Sequence, residues 1–321
     1  MYLFTVAQDI HYSQFFNSPL NLSPALTGVF AGEQRVTADY KGQWASVPVD
    51  YSTFSMAYDR NFSSYADTTG FFSAGLLLNY DKAGSVDLNL INVGLNASYS
   101  LRLNKKSTLS PGVQIAFNSR RYDFDKVSTG NQWNGEFRDI NIPAEISQDE
   151  AISFVDISLG LNYHRQTSYR DYLDIGVGFF HIATPEQSFN KGNFTSNLNR
   201  KVSLYGMSSF EIASKIDLLL NALYSNQVTY QEIVLNAQGK IYLNKNKERN
   251  KALYLGLGYR LDDAFYPMIA IQYEKIYVSF NYDINVSDFS HATGNQGGPE
   301  LHFRYMIYNM PQAPFKPCPI Y

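Results

Sequence analysis

The chain has 321 residues, a formal net charge of −3 and one cysteine, Cys318. That balance gives no electrostatic case for binding nucleic acid, and one cysteine excludes an intramolecular disulfide or a paired-cysteine metal site. Charged residues make up only 17% while tyrosine (25) and phenylalanine (22) abound, as suits much surface in an apolar medium; no apolar run reaches the roughly 18 residues of a transmembrane helix, which leaves a spanning barrel open.

Met1–Ala7, "MYLFTVA", reads as the remnant of an export signal with Ala7 at a plausible cleavage edge, although the basic start and full apolar core are missing. The mature chain is expected to begin near Gln8. "QDIHYSQFFNSPLNLSPALTG", from Gln8 to Gly28, then fits neither helix nor strand and opens an irregular segment, 8–34. Its prolines stiffen it, and Tyr12, Phe15, Phe16 and Leu20 offer anchors against a wall. The segment is expected in or under one mouth of the fold, as a partial plug, a contact surface or a cap on exposed edges.

From Arg35 onward an alternation of period two dominates. In "INVGLNASYSLRLN", Ile91, Val93, Leu95, Ala97, Tyr99, Leu101 and Leu103 oppose Asn92, Gly94, Asn96, Ser98, Ser100 and Arg102, which in a strand puts the two sets on opposite faces. Fourteen such segments lie near 35–44, 51–60, 71–80, 89–103, 107–118, 152–163, 172–182, 201–212, 216–227, 231–243, 251–260, 265–274, 275–286 and 299–308. They exceed the roughly 5–6 residues of an average strand and match the roughly 9–11 that cross a bilayer at a tilt. Periodicity alone does not separate a soluble β-sandwich from a membrane barrel; length and loop asymmetry do. Connections after odd strands include 119–151, 183–200 and 287–298, long and rich in Asn, Gly and Ser. Those after even strands include 104–106, 213–215, 244–250 and the near-direct join at Glu274–Lys275. Connections 61–70 and 228–230 depart from the trend. Long on one side and short on the other marks an all-β, transmembrane antiparallel barrel of the bacterial outer membrane, over 35–308, with both termini in the periplasm.

Charges recur on the polar face: Asp59, Arg102, Asp156, Lys240, Arg260, Asp283, Glu300 and Arg304. Cross-pairing that fills the lumen is favoured over an aqueous path, because an unpaired buried charge is costly. His164 and His181 invite a hydrolase reading, but no Gly-x-Ser-x-Gly accompanies them, so they read as structural residues at strand ends. His11, His291 and His302 are scattered and support no metal site. "GVG" (176–178) and "GLG" (256–258) sit within strands with no helix following, so they read as close packing or bending in the wall rather than phosphate loops. The chain is expected to be no enzyme and to carry no cofactor. The proline-rich tail 309–321 cannot continue the sheet. It reads as an extended periplasmic strip, either loose or docking through Phe315 and Tyr321. Loop 119–151 mixes Tyr122, Phe124, Trp133 and Phe137 with Arg120, Arg121 and Arg138, which suits an interface or a lid.

The opening stretch, followed by "YKGQW" (40–44), "YSTFSMAYD" (51–59), "GLNYH" (160–164), "FFHIATPEQSF" (179–189), "LGLGYR" (255–260), "SFNYDINVS" (279–287), "GGPELHFRY" (297–305) and "PCPIY" (317–321), resembles the PorP/SprF family. These are outer-membrane proteins linked to type IX secretion and gliding in Bacteroidota. The resemblance implies a non-enzymatic barrel that helps export or anchor a secreted, adhesin-like surface protein carrying a type IX C-terminal signal. It also makes the opening stretch the hallmark. His11, Tyr12, Phe15, Phe16, Pro19, Asn21, Pro24, Trp133, Phe137, Phe315 and Tyr321 are then the plug and partner candidates. The surrounding partners are outer-membrane lipids. Two alternatives stay open: a core component contacting periplasmic ring proteins, and a FadL-like or porin-like diffusion channel.

Overall fold

The alternation closes on itself. In the computed structural model, described for residues 9–43, 51–63, 69–84, 87–123, 130–133, 135, 139, 142, 151–189, 196–244, 251–287 and 296–308, fourteen antiparallel strands form a barrel in which each strand pairs with its sequence neighbours and the last pairs with the first. They are β1 (Gln34–Gln43), β2 (Tyr51–Asn61), β3 (Gly70–Ala83), β4 (Leu88–Asn104), β5 (Ser107–Arg121), β6 (Ala151–Gln166), β7 (Tyr172–Phe180), β8 (Lys201–Ala213), β9 (Ile216–Gln227), β10 (Tyr230–Tyr242), β11 (Lys251–Arg260), β12 (Ala264–Tyr273), β13 (Ile276–Asn285) and β14 (Gln296–Ile307). Closure runs through β1 and β14, with Val36 opposite Tyr305 and Lys41 opposite Glu300. No sheet edge is left to recruit another chain.

The two faces decide the medium. Along β4, Leu95 is 66% exposed while Asn96 is 4% exposed. The same inversion holds on β13, where Val278 and Phe280 face outward and Ser279, Asn281 and Asp283 are buried. A soluble sandwich buries its apolar faces, so that alternative is corrected: here the apolar faces turn outward, as they do toward lipid. No described helix is long and apolar enough to cross a membrane.

All boundaries fall within three residues of the alternation's ends, and two of the offsets are informative. β7 stops at Phe180, not at 182, because His181 takes a left-handed backbone (φ 57°) that breaks the ladder. β5 runs on to Arg121 and shortens the long connection that follows it. The join between β12 and β13 is a tight turn at Glu274 (φ 52°). β1 begins and β14 ends at one mouth, called the near end; connections 122–150, 181–200 and 286–295 emerge at the far end.

Candidate functional site within the lumen

What fills the barrel is the opening stretch. Asp9–Gly28 is built of three single turns, Phe15–Asn17, Pro19–Leu22 and Pro24–Leu26. Pro19 and Pro24 each sit at the first position of a turn, where a fixed φ helps and the missing N–H is not needed. The Ser23 hydroxyl accepts from the Ala25 amide (3.3 Å) and donates to Val177 of the wall (3.1 Å), while Thr27 Oγ1 donates to the Pro24 carbonyl (2.7 Å). Turns this short lack a helical face of their own, so their polar backbone must be satisfied by the barrel.

The wall does so with buried charge. Both Glu300 carboxylate oxygens accept successive backbone amides, from Ser13 (2.9 Å) and Gln14 (2.7 Å). Ser13 Oγ donates to Asp283 (2.7 Å), and Arg260 donates to that same carboxylate (3.0 Å) and to Ser13 Oγ (3.1 Å). Tyr266 donates its hydroxyl to the Ser13 carbonyl (2.8 Å). Lys41 donates to the His11 carbonyl and stands 3.9 Å from both Asp283 and Glu300. At the near end Asp59 accepts the Gly28 amide (2.8 Å) and is gripped by Arg35 (2.7 and 2.9 Å), which also donates to the Leu26 carbonyl. Tyr12 reaches Ser55 (2.6 Å), and Asn21 bonds to Ser55 and Asn79. On the other side Phe15, Leu22 and Leu26 pack with Tyr205, Leu223, Val234 and Tyr266, and Phe16 lies against the Tyr242–Tyr254–Tyr277 group.

Three glycines let the segment lie against the wall. Gly112 of β5 stands opposite Gly160 of β6, which stands opposite Gly178 of β7. A Cβ on Gly112 would meet Pro24 and Ala25 backbone atoms at 2.5 Å, one on Gly178 would meet the Leu22 carbonyl at 2.6 Å, and one on Gly160 would overlap Ser23 and Ala25. The row is a seat, cut by the absence of side chains.

The far end of the segment is held by a histidine. His181 lies between Asp9 (Nε2 to Oδ2, 2.6 Å) and Asp156 (Nδ1 to Oδ2, 2.7 Å), and Lys201 stands 3.6 Å from Asp9. Burial pulls the imidazole down, but the two carboxylates overcome it and push it up to about 9 from an ordinary 6.5. Burial likewise opposes the charge on Asp9, yet His181 and Lys201 hold that carboxyl well below its usual range. A raised imidazole contributes stability fully below its ordinary value and loses it as pH rises through about 9; a depressed carboxyl loses its contribution only in acid. The His181 ring resonances, followed by NMR, should therefore titrate with a midpoint near 9, and Asp9→Asn should bring that midpoint down toward 6.5. A wild-type midpoint at or below 6.5 would remove the latch.

The charged candidates divide by height. Asp59, Asp156, Arg260, Asp283 and Glu300 are buried and engage the segment or its neighbours. Lys240 and Arg304 are half-buried at the near end and lie over tyrosine rings, Lys240 over Tyr242 and Tyr254, Arg304 over Tyr277. Arg102 sits where β4 reaches the near rim and is exposed there. Among the plug candidates Tyr12, Phe15, Pro19 and Pro24 are buried, while His11, Phe16 and Asn21 are half-buried. The expected location needs correcting. The segment does not stay at one mouth but spans the lumen, with Asp9 toward the far end and Gly28 near Asn61 and Ser73 at the near end. Asp9 and Tyr308 therefore stand toward opposite ends. Trp133 is 60% exposed on the far connection; Phe137, Phe315 and Tyr321 lie outside the described residues. The alternation argument did not single out Arg35, Lys41 or Asp9, although Arg35 and Lys41 share the lumen parity of β1 and so carried the signal.

Comparison with known proteins gives two findings. The family model described as type IX secretion system membrane protein PorP/SprF matches residues 5–305. Among solved structures, the chain is similar to a Pseudomonas aeruginosa FadL homologue (9% identity, TM-score 0.53, covering 89% of this chain and 93% of that one). It is also similar to a deltaS2 mutant of the TodX monoaromatic hydrocarbon channel (10% identity, TM-score 0.53, covering 90% and 93%). At such identities these likenesses establish the barrel fold alone. No curated protein matches.

Proposed function

The chain belongs to the PorP/SprF family of type IX secretion membrane proteins, and from that premise we propose that it is a non-enzymatic outer-membrane accessory of type IX secretion and gliding, helping to export or anchor an adhesin-like partner that carries the type IX C-terminal signal. The observation that supports this reading over a diffusion channel is the lead segment. Its backbone is bonded to buried Glu300, Asp59 and Tyr266, and its side chains fill the wall opposite. A lumen filled by ion-paired, hydrogen-bonded chain is a rigid support rather than an aqueous path. In this reading the far end, with its long connections, faces outward and the near end faces the periplasm, as outer-membrane barrels arrange them. Partner contact falls to connections 122–150 and 181–200 or to the terminal segments.

The test is a crosslinked, affinity-tagged pull-down from native outer membranes, read by mass spectrometry. Recovery of one large secreted surface protein is the expected result. Recovery of periplasmic ring proteins in its place would replace the accessory with a core component, and recovery of neither would remove the proposal.

A further inference from the structure

The near mouth carries two cations that the wall does not neutralise. Cross-strand pairs build it: Lys240 of β10 stands opposite Tyr254 of β11, Gln272 of β12 opposite Tyr277 of β13, and Tyr277 opposite Arg304 of β14. Ala252 faces Tyr242 and Ala270 faces Tyr254, small partners that give the rings room. Lys240 Nζ lies 4.8 Å from the centre of the Tyr242 ring and 5.4 Å from that of Tyr254. The Tyr254 and Tyr277 rings meet edge to face at 5.2 Å, and the Arg304 guanidinium lies 4.4 Å over Tyr277. Both cations are half-buried on the lumen parity, while Phe303, next to Arg304, faces outward. Among the described residues neither makes an ion pair, and the polar contact of Lys240 is the Tyr242 hydroxyl. The acids beside them are taken: Asp217, opposite Lys240, holds Arg170 and the Tyr242 hydroxyl, and Asp39 holds His302. The rings attract a cation without cancelling its charge, so they act as props that fix Lys240 and Arg304 in the mouth.

The two rims differ in sign. The six connections at the near end hold eight Lys or Arg against four Asp or Glu, and the seven at the far end hold four against thirteen. The near rim therefore draws anions toward the mouth. Lys240 and Arg304 start four strands apart, about 19 Å around the wall, with two rings between them. That spacing suits acids along one extended chain, which advances about 3.3 Å per residue, rather than one small anion. A bilayer lipid meets the outer face of the wall, whereas these side chains turn into the lumen. The chain's own tail, 309–321, contains no Asp or Glu, so the acids come from another molecule.

We propose that the near mouth docks an extended, acidic polypeptide segment of a partner protein, its carboxylates engaging Lys240 and Arg304. Placing that partner in the periplasm rests on the orientation proposed above. The docking itself does not, and a test on purified protein separates the two.

Fluorescence anisotropy of labelled hexaglutamate, titrated with the full chain in a neutral detergent, tests it. Wild-type protein should bind hexaglutamate and ignore hexalysine, and free glutamate at equal carboxylate concentration should not displace the peptide. Lys240→Gln and Arg304→Gln should each weaken binding about tenfold, the size of one charge-assisted bond, and the double variant about a hundredfold. Arg304→Lys, which keeps the charge, should retain most of the affinity; heat-modifiable gel mobility checks folding throughout. Lys105→Gln with Lys106→Gln, exposed on the near rim, should cost no more than about threefold. Wild-type affinity in the double variant would leave only the rim's general attraction, and displacement by free glutamate would leave a small-anion site; either overturns the proposal. So does absence of hexaglutamate binding, and phosphatidylglycerol retained by the wild type but not by the double variant would then mark a lipid site.

Discussion

In a Gly160→Val barrel the amides of Ala25, Leu26, Thr27 and Gly28 should exchange with solvent roughly tenfold to a hundredfold faster than in the wild type, with the strand amides unchanged. The reason is steric. Gly160 stands between Gly112 and Gly178 in one row across three strands, and the main chain of Pro24 and Ala25 lies where their side chains would be. Backbone cannot turn aside as a flexible side chain does, so the added volume lifts the segment at a cost of about 1–3 kcal/mol. Protection falls by the corresponding factor if the segment opens on its own. Gly206→Val is the control. Nothing lies within 4 Å of a Cβ there, so its exchange pattern should match the wild type. Equal exchange in the Gly160 and Gly206 variants would show that the glycine row seats nothing.

Arg260→Met should have the largest effect on stability, about 3–5 kcal/mol, read as a shift in the urea midpoint of folding into lipid vesicles. The guanidinium is buried with Asp283 at 3.0 Å, Glu232 at 3.9 Å and Asp263 also in contact. Removing it leaves Asp283 and Glu232 as carboxylates in a closed lumen, with Lys41 3.9 Å from Asp283 and with Lys41 and Lys201 as the cations that still act on Glu232. Asp283 also holds the Ser13 hydroxyl, beside Glu300, which holds the Ser13 and Gln14 amides, so the segment should loosen together with the wall. Arg260→Met combined with Asp283→Leu should recover part of the loss, since the second change removes a charge left uncompensated. A midpoint shift below about 1 kcal/mol for the single variant would place this network among the weak surface ion pairs.

How much of this was legible in the sequence depends on the range of each interaction. Strand position and face follow from a local period of two, which is why β4 and β13 were readable residue by residue. Lumen filling was readable in outline, because Asp59, Arg260, Asp283 and Glu300 fall on the polar parity and buried charges must pair. The partners were not. Asp9 and His181 are 172 residues apart, and nothing local to either specifies the other. "GVG" at 176–178 looked like close packing within the wall, and Gly178 is indeed a place of close approach, but toward Leu22 of the lead segment rather than a neighbouring strand. The row becomes visible only when glycines on the lumen parity of β5, β6 and β7 are aligned by register, and the turns fix that register. His181 ended β7 early for a similar reason: its backbone turns the imidazole toward two distant carboxylates. The opening stretch was conspicuous because proline-led turns with buried aromatics make no sense alone. They make sense inside a wall that supplies their hydrogen bonds.

The most direct test of the plugged barrel is the conductance of the wild-type protein in a planar lipid bilayer, recorded beside Gly112→Val. Wild-type insertions should be silent, with steady conductance appearing only in the variant whose seat is blocked. Steady ohmic conductance of the wild type, equal to that of the variant, would contradict a lumen closed by its own lead segment and return the chain to the diffusion channels.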